Sequence, residues 1–255
     1  MTLSDDQLER YARHIVLKEI GGAGQQRLLG AHVVVVGAGG IGCPAIAFLA
    51  AAGVGTIRVI DPDHVSLSNL QRQILFGTAD IGRAKAETVQ SAVARINPDV
   101  HLVAINQRIE ADNAAVLLRD ADVILDGCDN FETRLAVSDA ATRLRTPLVS
   151  AAVGAFDGQV GVWRGWEDGQ ACYRCLVGAD PALPDLNCAD QGIMGAVTGI
   201  IGSMAALEVI RTLVPFGEDA VGQMMIADFM ARRFRTVRVA VDPVCPACAV
   251  ESVTA

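Results

Sequence analysis

The sequence predicts an α/β fold: a Rossmann-like, mainly parallel sheet flanked by helices, extended by antiparallel strands, with an N-terminal helical arm and a structural zinc site. Three observations lead there. An apolar strand of four valines, beginning at Val33, runs into a glycine turn and on into the alanine-rich stretch 43–52, with Gly37, Gly39 and Gly42 in G-x-G-x-x-G spacing. That is a β-turn-α unit in which bare backbone can approach a phosphate. Strand-like runs then alternate with helix-periodic ones, as parallel strands joined by crossover helices require. Lastly, four of the seven cysteines form two C-x-x-C pairs, Cys172/Cys175 and Cys245/Cys248.

With 255 residues, 51% of them hydrophobic, the chain can bury a large core. Twenty-one basic against 29 acidic residues leave a net charge of -8. Such a balance offers no general attraction to nucleic acid or to an anionic membrane, so neither partner is expected. The opening MTLSDDQLERYAR is polar, without an apolar stretch behind a basic start, so no signal peptide is expected and the chain reads as cytoplasmic. Disulfides do not persist in that compartment, and the paired cysteines read as metal ligands. The stretch 192–207 is almost wholly apolar, yet shorter than the ~18–20 residues of a membrane span. Its glycines and alanines suit a helix packed closely on other backbone.

Taken in order, Ser4 and Gln7 have capping-box spacing, and Leu8, Tyr11, Ala12, Ile15 and Val16 share one helical face until Gly21-Gly22 ends the run. Arg10 and Arg13 ride on this helix, where the pattern alone reads them as solvated. Residues 56–60 form a second strand ending at Asp61, whose carboxylate can accept hydrogen bonds from ribose hydroxyls. A polar loop, 63–73, follows. A plain dinucleotide fold would pass quickly to its next helix, so this loop signals added chemistry.

Residues 83–96 are helical, striped by Ala86, Val89, Val93 and Ile96 and stopped by Asn97-Pro98. Lys85, in the first turn, opposes the helix dipole; its place hints at a ligand, and a solvated lysine is the alternative. Stretches 100–105 and 123–125 are strands, the second leading into DGCDN, 126–130. Carboxylates there stand at the ligand-binding edge of an α/β sheet, or else Asp126 and Asp129 merely cap the helix from Phe131. Residues 148–153 read as the last core strand and 158–163 as an antiparallel one. A loop over 177–191 and the apolar helix complete the chain.

Each C-x-x-C pair can form a tight knuckle, and two knuckles that meet close one tetrahedral zinc site with no open position, hence a structural one. The alternative is two unrelated buried or redox pairs. At the sheet edge, Arg72, Lys85 and Asp129 suit phosphate chemistry better than hydride transfer, because cations stabilise charge at phosphorus and a carboxylate binds Mg²⁺. Of the four histidines, His14, His32, His64 and His101, only His64 lies in these loops.

The motifs RYARHI, GAGGIG, DPDHVSLSNLQRQ, Gly82-x-x-Lys85, DGCDN, CYRC, NCADQG and CPAC, in this order, resemble the bacterial adenylyltransferases that activate ubiquitin-like sulfur carriers. These form the ThiF/MoeB/HesA family, relatives of the ubiquitin-activating enzymes. The resemblance covers essentially the whole chain. It implies that the C-terminal glycine carboxylate of a carrier ending in Gly-Gly attacks the α-phosphate of ATP, releasing pyrophosphate and leaving an acyl-adenylate. ATP, Mg²⁺ and Zn²⁺ are the implied cofactors.

By motif the resemblance places Gly40, among the turn glycines, on the nucleotide and Asp61 on the ribose. It places Asn69, Gln71, Arg72 and Lys85 on the phosphates, with Ser68 and Leu70 in the same binding loop, and Asp129 on Mg²⁺ with Asn130 beside it. Arg13 matches an arginine finger that enters the other subunit's site, which implies a homodimer. Cys188 matches a cysteine that relatives can use covalently, and such a role stays open. Cys43 reads as core, and Cys128, where threonine is expected, as packing or slight tuning. A separate persulfide donor, such as a cysteine desulfurase, is implied, as is one domain over 1–255: an arm at 1–30, a nucleotide-binding half at 31–157 and a carrier-binding and zinc half at 158–255. Thiamine-type and molybdopterin-type carriers both fit, with a slight lean to the first. The competing readings are an NAD(P)-dependent oxidoreductase and a non-catalytic zinc-bearing subunit of a heterodimer.

Overall fold

The computed structural model describes residues 3–178 and 192–249. Ser4 opens helix α1 (Asp5–Arg10) through the expected capping box: its hydroxyl accepts from the Gln7 N–H at 3.2 Å, and the Gln7 side chain accepts from the Ser4 N–H at 3.2 Å. The single helix expected here instead breaks at Tyr11 and resumes as α2 (Ala12–Ile15). Tyr11 turns inward: it is 2% exposed, its hydroxyl accepts from Asn97 Nδ2 at 2.8 Å, and its ring occupies the space a side chain at Gly53 would need. Leu8 and Val16 therefore lie exposed rather than on a buried face. Gly21-Gly22 begins a helix instead of ending one. Gly21 takes φ +58°, a left-handed turn that glycine adopts without strain, and α3 (Gly21–Gly30) follows.

Strand β1 (His32–Val36) is third in one eight-stranded sheet and the middle one of its five parallel strands. It pairs in parallel with β2 (Thr56–Ile60) on one side and β4 (Val123–Asp126) on the other; β3 (His101–Ile105) extends the first side and β5 (Leu148–Val153) the second. The chain thus winds outward in two directions from β1, and a crevice opens where it reverses, at the carboxyl ends of β1 and β4. From β5 the sheet continues antiparallel through β6 (Asp157–Trp163), β7 (Gln223–Asp228) and β8 (Arg233–Arg238). The sequence located β6 but neither β7 nor β8. The reason is plain in β8, five of whose six residues are exposed, so no buried face imposes an apolar alternation on it.

Alternate valines of β1 serve two cores. Val33 and Val35 pack with α4 (Gly42–Ala52), α5 (Lys85–Ile96) and the long helix near the C-terminal end, whereas Val34 and Val36 pack with α6 (Ala114–Leu118), α7 (Phe131–Leu144) and Trp163. A short α8 (Tyr173–Val177) lies on α7 and reaches into the segment expected to be loop. Helix α9 (Gly195–Leu213) runs past the expected end at Leu207, because Glu208 is buried against Arg211 at 3.1 Å instead of stopping the helix. Its length and composition would let it cross a bilayer, but here it packs on α4 and on β4 to β6. Arg10, left as a solvated residue by pattern, donates to the Ile96 carbonyl at 3.1 Å, closing the C-terminal end of α5.

Candidate functional site

The crevice at the carboxyl ends of the parallel strands holds ≈ 420 Å³, within the ~300–1,000 Å³ usual for small-ligand sites. The glycine turn forms its floor. Gly37 takes φ +89°, and a Cβ there would come within 3.1 Å of the Gly127 carbonyl. At Gly39 a Cβ would meet nothing within 4 Å and would project into the cleft, so this backbone is left bare for a ligand. Gly40 lines the wall beside Thr198. Gly42 does not line it; a Cβ there would lie 1.9 Å from the Gly37 carbonyl oxygen, so this glycine lets α4 close onto its own turn.

Asp61, 5% exposed at the end of β2, accepts from the Ala38 N–H at 2.7 Å and the Asp63 N–H at 2.8 Å. Burial raises its carboxyl above the ordinary range, and the Lys85 charge and these two donors oppose that rise. Lys85, buried at the start of α5, donates to Asp63 Oδ2 at 2.9 Å. Arg72 is held by the Ser68 carbonyl at 3.0 Å. With exposed Asp129 and with Asn130, these residues and Gly37, Gly39 and Gly40 line one cleft.

Other expected members lie outside it. Asn69 accepts from the Ser66 N–H at 3.2 Å, Ser68 Oγ lies 3.0 Å from Ser66 Oγ, Leu70 packs on the core, and Gln71 reaches the Ile193 carbonyl at 3.5 Å. These four shape the loop that delivers Arg72 to the cleft. Arg13 is exposed on α2 and does not line the cleft of its own chain. Cys188 lies outside the described residues.

The helix-cap alternative for Asp126 and Asp129 goes to neither. Asn130 caps α7, its Oδ1 accepting from the Thr133 N–H at 2.8 Å. Asp126 is wholly buried 3.5 Å from Arg134. Cys128 donates to the Asn130 carbonyl at 3.4 Å, and burial together with the Asp126 charge pushes its thiol well up. Burial likewise pushes the Cys43 thiol up to about 12, in keeping with a core residue.

Sequence reasoning missed Gln73, Arg134 and Tyr173, all of which line the cleft. Gln73 is 3% exposed and its Oε1 has no hydrogen-bond partner among the described residues, an orphaned polar atom of the kind a bound ligand satisfies. Arg134, one turn beyond Asn130, donates to the carbonyls of Cys128 and Ala151. A charged residue four positions after a helix cap, inside an otherwise small and apolar face, was the available signal.

Around α8 the four knuckle sulfurs converge. Cys172 Sγ lies 3.9 Å from Cys175 Sγ and 3.5 Å from Cys245 Sγ, Cys175 Sγ lies 3.4 Å from Cys248 Sγ, and all four are within 4.8 Å of one another. Zinc–sulfur bonds of about 2.3 Å in a tetrahedron put the sulfurs about 3.8 Å apart. A disulfide would need about 2 Å. The four cysteines thus form one group that fits zinc, not two unrelated pairs. Burial and neighbouring sulfurs raise the Cys172 thiol; at Cys245 burial is the largest single influence, but hydrogen bonds from the Ala247 and Cys248 backbone and from the Cys248 and Cys172 side chains together outweigh it and lower the thiol.

A bare glycine turn at a topological switch point, ringed by cations and carboxylates and accompanied by a four-cysteine cluster whose spacing fits a metal, marks an α/β protein of the nucleotide-binding class. More narrowly, the chain belongs to the ThiF family, whose profile matches residues 11–247. It is 40% identical over 255 residues to the sulfur carrier protein adenylyltransferase of Thermus thermophilus, covering 97% of this chain and 93% of that one. It is also 40% identical over 247 residues to the sulfur carrier protein ThiS adenylyltransferase of Escherichia coli, covering 96% and 97%. In fold it is similar to a crystal structure of E. coli MccB with MccA-N7isoASN, with a TM-score of 0.81 at 23% identity over 94% of this chain and 74% of that one.

Proposed function

We propose that this protein adenylates the C-terminal glycine carboxylate of a ubiquitin-like sulfur carrier, using ATP. The observation that carries the reading is the meeting of Arg72, Lys85 and Asp129 above the bare backbone of Gly39, in a chain whose relatives bear that activity in their names. An ionised carboxylate is already a nucleophile, so no general base is required. Its oxygen attacks the α-phosphorus, a new O–P bond forms, the bond from the α-phosphorus to the bridging oxygen breaks, and pyrophosphate leaves. What the protein supplies is positioning and electrostatics. Arg72 and Lys85 offset the negative charge on the phosphates, and the ion pair with Asp63 holds the Lys85 ammonium in place. Asp61 would hold the ribose. Asp129 and Asn130 would hold Mg²⁺, which supplies further positive charge at the phosphates. Zn²⁺ on Cys172, Cys175, Cys245 and Cys248 would be structural.

The same reading makes the active form a homodimer. Arg13 is exposed and outside its own cleft, as a residue that completes the site of a second copy must be. Residues 31–157 would serve the nucleotide and 158–255 the carrier, of thiamine or molybdopterin type, with sulfur coming from a separate persulfide donor such as a cysteine desulfurase and Cys188 available for a covalent step. Carrier-dependent exchange between ATP and pyrophosphate tests the core of the proposal. Arg72→Ala and Asp129→Ala should each lose about 10²–10³-fold in exchange while the fold is kept, the scale of removing one charge-stabilising group. Full exchange in either variant overturns the site.

A further inference from the structure

The four-cysteine knuckle and the nucleotide cleft are distinct groups of residues, and two side chains join them. Tyr173 lies between the ligand positions Cys172 and Cys175, is 4% exposed, and lines the cleft. The Arg134 guanidinium lies 5.9 Å from its ring centroid, within cation–π range. From behind, Trp163 meets the same ring edge-on at 5.9 Å and is itself fixed by donation to Ser150 Oγ at 2.7 Å. The next residue of the knuckle, Arg174, binds Asp139 through two bonds of 2.6 and 2.7 Å. The knuckle therefore grips α7 at Asp139 and, through Tyr173, at Arg134.

Arg134 passes that grip to the cleft. It is 6% exposed, and from one buried position it pairs with Asp126 at 3.5 Å, donates to the Ala151 carbonyl at 3.0 and 3.1 Å, and donates to the carbonyl of Cys128. Cys128 directly precedes Asp129, and Asn130 directly follows it as the α7 cap. The backbone on both sides of Asp129 is thus pinned, from one side by Arg134 and from the other by the helix cap. Asp129 itself has no hydrogen bond or ion pair among the described residues, so its direction depends on that backbone.

We propose that Tyr173 is a positioning residue: clamped by the cysteine knuckle, it holds Arg134 and through it the loop that aims Asp129 at the metal-nucleotide ligand. The inference rests on the adenylating function proposed above and adds that the knuckle tunes nucleotide binding. Two measurements on the full chain test it: affinity for MgATP by calorimetry, and deuterium uptake of the peptide spanning 127–131. Tyr173→Ala should weaken MgATP binding about tenfold, as loss of a supporting partner behind a metal ligand does, and raise uptake in that peptide. Its zinc content should be unchanged. Tyr173→Phe keeps the ring and should return both readouts toward the parent. Unaltered affinity and uptake in a folded, zinc-replete Tyr173→Ala overturns the inference. If that variant fails to fold, Arg134→Gln, which keeps the four cysteines and the Arg174–Asp139 pair in place, decides by the same two readouts. A parent chain that binds no MgATP at all would sink the function itself, a different outcome.

Discussion

At the scale of single residues, the glycines of one motif separate into two physical roles. Gly42 is required by packing, since a Cβ there would collide with the Gly37 carbonyl at 1.9 Å, whereas Gly39 faces open cleft. Gly42→Ala should lower folding stability by 1–3 kcal/mol or more, read from denaturant midpoints, because the clash is with backbone that cannot step aside. Gly39→Ala should stay within about 0.5 kcal/mol of the parent and lose nucleotide affinity tenfold or more, read by calorimetry. Equal effects of the two on stability would contradict the placement. The motif was legible because its spacing is local. Gln73 and Arg134 were not: Gln73 sits in a polar loop where one amide looks like its neighbours, and a charged residue in an apolar helix face, such as Arg134, looks the same whether it serves a ligand or a neighbouring carbonyl.

Among the elements, α9 shows how composition and structure diverge. Its apolar run is short for a membrane segment and reads as a packed helix, and only the fold shows which neighbours it packs on. Gly202 is the close point, where a Cβ would lie 2.4 Å from the Ile41 carbonyl and 2.5 Å from Pro44 Cγ. Gly202→Ala should push α9 away from α4 and destabilise by about 1–3 kcal/mol, measured by chemical unfolding, while Gly199→Ala, which meets nothing within 4 Å, should not. The central parallel strands β1 and β4 were readable because both their faces are buried, which writes apolar runs such as β1 into the sequence. Strand β8 has almost no buried face and was unreadable. The N-terminal arm was misread in a related way: its cap is local chemistry, but its break at Tyr11 depends on Asn97 and Gly53, far along the chain.

For the molecule as a whole, the proposed dimer makes a claim that one chain cannot satisfy. If Arg13 acts on the partner's cleft, mixing Arg13→Ala with Arg72→Ala protomers in equal amounts should restore about a quarter of the parent sites, since half the dimers are mixed and each carries one intact site. Exchange no greater than in either variant alone would exclude action in trans. By itself the sequence determined the phosphate-binding turn, the capping signals, the parallel strands and the pairing of cysteines into knuckles, because each is written in spacing over a few residues or in a face buried on both sides. The tertiary structure decided which polar residues share the cleft, that Asn130 rather than an aspartate caps α7, and that the distant knuckle reaches Asp129 through Tyr173 and Arg134. Those are contacts between residues far apart in the chain, and no local pattern encodes them.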